Sequence, residues 1–242
     1  MHLSHSAVGA ILVAAGKGSR MGLGYNKVLL PLCGKPVIQW TLEAFAGSGL
    51  VDVLVLVISP EDEGAMADIC HSVRRNFPSE KTPEILTVFG GADRQDSVYN
   101  GLCALPQGVD VVLVHDGARP FVDGALIERS IDNARAWGAA CAGMPVKDTI
   151  KVVDENRVIT QTPDRARLWS AQTPQAFRRE IVTDSYHKAY REGIRGTDDA
   201  GLVEAAGYRV TMFEGSYGNI KLTSAEDLLF AERLLREKKS QT

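Results

Sequence analysis

Residues 9–30 read GAILVAAGKGSRMGLGYNKVLL. A short apolar run, residues 10–15, breaks into four glycines, Gly16, Gly18, Gly22 and Gly24, with Lys17, Arg20 and Lys27 threaded between them. The run is continuous rather than alternating, which predicts a strand buried on both faces. Glycine-rich backbone at a strand end exposes N–H groups, and cations among them add to the attraction for an anion. The stretch therefore predicts the first strand of an α/β sheet opening into a phosphate-holding loop. Two familiar loop patterns do not fit it. A P-loop needs G-x-x-x-x-G-K-[ST], but Gly18 stands where the hydroxyl residue belongs and Gly9 is too far from Gly16. A dinucleotide fingerprint needs G-x-G-x-x-G, but Met21 takes the third glycine's place and no acid follows about twenty residues on.

Outward from this stretch the same alternation continues. Val53–Ile58 and residues 85–89, 109–114 and 139–144 are short apolar runs that predict buried strands. Helical patterns fill 36–46, 60–75, 94–105 and 123–137, the second opening with Ser59 as a cap and Pro60 in the first turn. Strand and helix in turn predict a mostly parallel sheet with helices on both sides. Between 145 and 169 the helical periodicity stops. DTIKVVDENRVITQT, 148–162, predicts two extended segments joined by a turn at Asp154-Glu155-Asn156, an arm leaving the main body. Helices resume at 178–193 and 198–206, a strand follows at 208–213, and Thr223 with Glu226 predicts a capping box on the last helix. No repeat or low-complexity linker divides the chain, so 1–242 reads as one domain with an arm at about 145–169.

Composition narrows the function. The chain has 242 residues, 45% apolar and 24% charged, with a net charge of −3. These values suit a globular protein with a core of normal size and give no general affinity for nucleic acid. The four cysteines, Cys33, Cys70, Cys103 and Cys141, lie more than thirty residues apart. They predict reduced, mostly buried thiols in a cytoplasmic protein rather than a disulfide or zinc framework. Residues 1–6 carry no Lys or Arg, which argues against a secretory leader, and no apolar stretch approaches a membrane span.

Four further segments carry candidate chemistry. In VLVHDGARPF, 112–121, a buried strand runs into Asp116, with Arg119 three residues on. Ligands of open α/β sheets sit at the carboxyl ends of strands, and a carboxylate there suits Mg²⁺ together with phosphate oxygens. His115 reads as structural. In FGGADRQDSV, 89–98, Gly90-Gly91 lets backbone approach a flat base closely, and Ser97 offers it a hydroxyl. SAQTPQAF, 170–177, and NIKLT, 219–223, read as short polar loops with one or two ligand groups each.

Taken in order, AAGKGSRM…NK, GKPVIQWTL, GGADRQDSV, VHDGARPF, PVKDTIK, AQTPQAF, TDDA and GNIKLT resemble the 2-C-methyl-D-erythritol 4-phosphate cytidylyltransferase family over nearly the whole chain. The resemblance implies a Rossmann-like nucleotidyltransferase fold whose β-arm exchanges between the subunits of a homodimer. It implies CTP as co-substrate and Mg²⁺ as cofactor. It makes Arg20 and Lys27 the transition-state stabilisers. Ala14, Ala15, Gly16, Gly18, Gly90, Gly91, Ser97, Asp116 and Gly117 become nucleotide-binding residues, with Asp116 also on the metal side. Arg119, Thr149, Arg165, Thr173 and Lys221 become contacts to the methylerythritol phosphate, Thr149 and Arg165 lying on the arm. Two positions depart from the pattern. Asn26-Lys27-Val28 stands where many members have Pro-Lys-Gln, and Gly218 stands where some have an acid before Asn-Ile-Lys.

The implied chemistry agrees with the residues. A phosphate monoester has a second pKa of about 6, so at neutral pH it attacks the α-phosphorus of CTP without a general base. The obstacle is repulsion between anions, and cations aimed at the developing charge relieve it. Three rival readings remain open. One is a cytidylyltransferase for another polyol phosphate, such as ribitol 5-phosphate, whose family shares most of these motifs. The second is a hexose-1-phosphate nucleotidylyltransferase, and the third a non-catalytic nucleotide-binding module.

Overall fold

The computed structural model describes residues 6–16, 26–78 and 82–240. In chain order the described elements are β1 (Ala7–Val13), β2 (Pro31–Leu32), β3 (Lys35–Pro36), α1 (Val37–Ser48), β4 (Val53–Ile58), α2 (Glu63–Asn76), β5 (Glu84–Phe89), α3 (Arg94–Ala104), β6 (Val109–Asp116), α4 (Gly124–Trp137) and β7 (Ala139–Pro145). Then come β8 (Val152–Val153), β9 (Ile159–Gln161), β10 (Trp169–Arg178), α5 (Arg179–Glu192), α6 (Asp199–Ala205), β11 (Thr211–Glu214) and α7 (Ala225–Ser240). The main sheet runs β11-β7-β10-β6-β1-β4-β5. All its pairings are parallel except the two made by β10.

Successive strand residues feed two cores. In β4, Leu54, Leu56 and Ile58 pack on one side with Ile38, Leu42 and Phe45 of α1, Met66 and Ile69 of α2, and Leu126 and Ile131 of α4. Val53, Val55 and Val57 pack on the other with Val98 and Leu102 of α3, Val182 and Tyr186 of α5, and Leu202 of α6. This two-sided burial is why the central strands read as unbroken apolar runs. A third cluster seats α7 against Leu32, Val37 and Leu222.

Several expectations are corrected. SAQTPQAF is not a loop but most of β10, inserted antiparallel between β6 and β7 with a register shift between Ala171 and Gln175 and a cis Thr173–Pro174 bond. It escapes an apolar-run search because the inward polar groups find distant partners, Gln172 Nε2 on the Ser216 carbonyl and Gln175 Nε2 on Asp198. β5 lies at the sheet edge, so it alternates and leaves Phe89 exposed. Ser59 makes no side-chain cap, because its hydroxyl donates to the Ala15 carbonyl at 3.1 Å. The capping box of α7 is shifted by one residue. Ser224 Oγ accepts from Asp227 N at 3.3 Å, while Asp227 Oδ2 accepts from Ser224 N at 2.9 Å. Cys70 and Cys141 are buried, Cys33 is half-buried and Cys103 is exposed; none of the four is in a disulfide.

The arm has the expected form. β8 and β9 pair antiparallel, and Asp154 Oδ1 accepts from Asn156 N and Val158 N across the turn. Among the described residues no helix is long and apolar enough to cross a membrane.

Candidate active site

The carboxyl ends of β1 and β6 and the loops after them enclose a cavity of about 320 Å³. The β1 end is pinned from both sides. The Asn26 amide donates to the Ala14 carbonyl and, at 2.8 Å, to Asp62 Oδ2, while Ser59 holds the Ala15 carbonyl. A proline at position 26 could not make those bonds. Asn26 also caps the short turn Lys27–Leu29 through Val28 N, so the start of that turn, where Lys27 stands, is fixed beside the strand end. Ala14, Ala15, Gly16 and Lys27 all line the cavity. Arg20 and Gly18 lie outside the described residues.

The second wall is the β5–α3 turn. A Cβ at Gly91 would come within 2.3 Å of Asp96 Cβ and 3.0 Å of backbone, so only glycine fits. The Gly91 N–H donates to Ser97 Oγ at 3.1 Å, and Ser97 donates to the Asp93 carbonyl at 2.7 Å. The Ser97 hydroxyl proton is therefore committed to shaping this turn. Gly91 and Ser97 line the cavity, and Gly90 stands directly behind, its N–H bonded to Ile58.

Asp116 closes the floor amid three cations. Lys221 Nζ lies 2.9 Å and Arg119 Nε 3.4 Å from its Oδ2, and Arg94 Nε 3.6 Å from its Oδ1. Burial alone would raise the Asp116 pKa, but Lys221, Arg94 and Arg119 outweigh it and hold the carboxyl well below its ordinary range. Lys221, one lysine in a polar loop, is brought here because Leu222 N bonds the Ala118 carbonyl and Asn219 is buried with its amide on the Thr173 carbonyl. Arg119 Nη1 donates to the Asn219 carbonyl at 2.7 Å. Gly117 is placed against Val13 and Ile38, behind the cavity wall.

His115 is fully buried, and burial pushes its pKa down to about 4, so it is neutral at pH 7. Its Nε2 faces the Arg119 carbonyl at 3.1 Å, which can only accept, so the proton is on Nε2. Nδ1 then accepts from Thr173 Oγ1 at 3.0 Å, and that oxygen accepts from Asp116 N at 3.1 Å. The single proton of Thr173 goes to His115, which leaves this hydroxyl only a lone pair to offer a ligand.

The structure thus gathers Ala14, Ala15, Gly16, Lys27, Gly91, Ser97, Asp116 and Lys221 around one cavity, with Gly90, Gly117, Arg119 and Thr173 immediately behind it. Thr149 and Arg165 are exposed on the arm and do not line the cavity of their own chain. Arg94 and Asn26 line it although the sequence reading assigned them no role. Arg94 had a legible signal: a cation in the first turn of a helix opposes the helix dipole and needs another reason to be there. A larger open groove, about 740 Å³, lies at the opposite, amino ends of the strands among Arg135, Arg178 and Asp184 and holds none of these motif residues.

A mostly parallel sheet carrying a glycine- and cation-lined pocket at its strand ends, with a buried acid on the floor, suits a nucleotidyltransferase, and the family match places the chain in that class. Residues 8–237 match the family model described as 2-C-methyl-D-erythritol 4-phosphate cytidylyltransferase, and the chain belongs to that family. It is 44% identical over 231 residues to the enzyme of that name from Caldanaerobacter subterraneus subsp. tengcongensis, covering 95% of this chain and 99% of the relative. It is 46% identical over 231 residues to that from Syntrophotalea carbinolica, covering 95% and 96%. The crystal structure of 4-diphosphocytidyl-2C-methyl-D-erythritol synthase from Anaerococcus prevotii superposes with a TM-score of 0.82 at 31% identity, covering 96% of this chain and 99% of that one.

Proposed function

We propose that the chain transfers the cytidylyl group of CTP to 2-C-methyl-D-erythritol 4-phosphate, releasing pyrophosphate, as a step of isoprenoid biosynthesis. The observation that carries this reading is the meeting of Lys27, Arg94, Lys221 and Asp116 with the Gly90-Gly91 turn at one cavity, within a chain that belongs to the family. A phosphate-monoester oxygen attacks the α-phosphorus. The bond from that phosphorus to its bridging oxygen breaks, and the electron pair leaves on pyrophosphate. Lys27 with Arg20 stabilises the charge that develops. Gly90, Gly91 and Ser97 shape the cytidine wall, and Ala14, Ala15, Gly16, Gly18 and Gly117 hold the backbone around the triphosphate. Lys221 and Arg119 face the polyol phosphate, with Thr173 setting the Asp116 backbone.

The donor set at Asp116 fits a magnesium ion. Among the described residues the one cation paired with its Oδ1 is Arg94, whose Nε stands 3.6 Å away, and Mg²⁺ takes one or two carboxylates together with substrate phosphates and water. When bound there, the ion neutralises phosphate charge. Among the described residues no group of three acidic, histidine or cysteine side chains is placed to hold a metal ion, so phosphates and water would supply the remaining ligands.

The whole chain acts as one nucleotidyltransferase domain and works as a homodimer. The arm supports this: a lone two-stranded hairpin is marginal by itself, and Val152, Val153, Val158 and Ile159 are exposed on it. Seated on a second subunit, the arm buries those side chains and brings Thr149 and Arg165 to the partner's cavity. Free thiols and the absence of a membrane-spanning helix among the described residues suit a cytoplasmic enzyme. The test is pyrophosphate release with each of the four common NTPs against methylerythritol phosphate and ribitol 5-phosphate. Turnover only with CTP and methylerythritol phosphate is expected; a preference for ribitol 5-phosphate or for another NTP refutes the assignment.

A further inference from the structure

Arg94 holds the first position of α3, where the helix's partial positive charge opposes a cation. Its compensation comes from the helix layer on the far side of the sequence. Asp199, fully buried, accepts from Arg94 Nη2 at 2.8 Å on Oδ2 and from the Tyr186 hydroxyl at 2.6 Å on Oδ1. Each carboxylate oxygen thus has one strong donor, and the Tyr186 ring is itself fully buried. Asp199 and Asp116 together outweigh the burial that would weaken the Arg94 charge. Of the five guanidinium donors, Nε stands 3.6 Å from Asp116 and one Nη2 hydrogen is bound by Asp199. Nη1 makes no hydrogen bond among the described residues, and Arg94 lines the cavity.

We infer that Asp199 is a positioning residue for the nucleotide, gripping Arg94 by one corner so that the free edge of its guanidinium faces the anionic part of CTP. The inference rests on the cytidylyltransferase reading above. Without Asp199, the ion partner left to Arg94 among the described residues is Asp116, and a long side chain drawn there would neutralise that carboxylate instead of meeting the ligand. Tyr186 fixes the carboxylate from behind. The pairing explains why two acids stand together in TDDA. Asp198 caps α6 and accepts from Gln175, whereas Asp199 reaches across to α3.

The experiment is a double-mutant cycle. Asp199→Asn, Arg94→Ala, Tyr186→Phe and the pairs with Arg94→Ala are compared in steady-state CTP kinetics with the polyol phosphate saturating. CTP binding by calorimetry and thermal melts accompany them. Asp199→Asn should lower kcat/KM for CTP about ten-fold or more, as loss of a charged hydrogen bond does, and leave KM for the polyol phosphate within about two-fold. It should change nothing further once Arg94 is absent. Tyr186→Phe, which keeps the ring, should shift the same quantity in the same direction by less, and it carries the cycle if Asp199→Asn fails to fold. Multiplicative effects in the double variants, or a lowered Tm with unchanged CTP kinetics and binding, would overturn the inference. A wild-type protein that binds CTP without turnover overturns the enzyme reading instead, and the cycle is then read from the binding constants alone.

Discussion

Replacing Asp116 by asparagine keeps the shape of the side chain and removes the negative charge that Lys221, Arg119 and Arg94 share, at 2.9, 3.4 and 3.6 Å. Breaking a buried ion pair costs about 3–5 kcal/mol. Lys221 and Arg94 keep about a third of their side-chain surface in water, and exposed partners are screened, so about 2–3 kcal/mol is the expected loss. For a chain of this size that lowers Tm by roughly 5–10 °C. Catalysis should suffer more than binding. Lys221 and Arg119 lose their carboxylate while Arg94 keeps Asp199, and the positive charge freed still attracts a triphosphate, so the Kd for CTP measured without metal should hold or tighten. The ordering of those cations and the carboxylate proposed to face the metal are both gone, so kcat should fall on the order of 10²-fold. The assay is pyrophosphate release at saturating substrates, with melts and calorimetry on the same preparations. A variant with Tm within about 1 °C and kcat within about two-fold of wild type would refute the account of Asp116. So would a kcat loss explained wholly by weaker CTP binding.

Lys27→Ala should lower kcat about 10²-fold or more with little change in KM for the polyol phosphate; near-normal kcat would return Lys27 to a surface role. Excess chelator should abolish turnover and added Mg²⁺ restore it, whereas undiminished activity would remove the metal from Asp116. Arg20→Ala and Arg165→Ala homodimers should each be nearly inactive, yet after subunit exchange the mixture should recover to about a quarter of wild type, because half the dimers are mixed and each mixed dimer has one intact site. No recovery, with exchange verified by a mass-tagged chain, would mean the arm serves its own subunit. His115 binds its proton at about pH 4 when folded against an ordinary 6.5. The unfolded chain therefore binds more protons between those values, and stability should fall by about 3 kcal/mol as pH drops through that window. His115→Gln lacks this component, so denaturant melts at pH 7, 5.5 and 4.5 should show a shallower decline than wild type; parallel slopes would contradict the neutral, buried histidine.

By itself the sequence determined the sheet class and the strand ends at which glycine turns and cations gather. Both are local in origin. A strand covered on two faces must be apolar without a break, as Val53–Ile58 is, and a backbone that must approach an anion or a base needs glycine, as at Gly90 and Gly91. The ordered motifs also placed Lys27, Asp116 and Lys221 in one site, although Lys221 taken alone is an unremarkable surface lysine. What the tertiary structure alone decided are the pairings made across long stretches of chain. β10 hid as a polar loop because Gln172 and Gln175 are satisfied by groups 44 and 23 residues away. The hydroxyl proton of Thr173 goes to His115, 58 residues distant, and Arg94 is held by Asp199, 105 residues distant. A hydrogen bond's effect depends on which donor meets which acceptor in space, and no periodicity along the chain records that. Residue type announces that a side chain can donate or carry charge; only the folded chain settles whether that capacity is left for a ligand or is already taken by the protein.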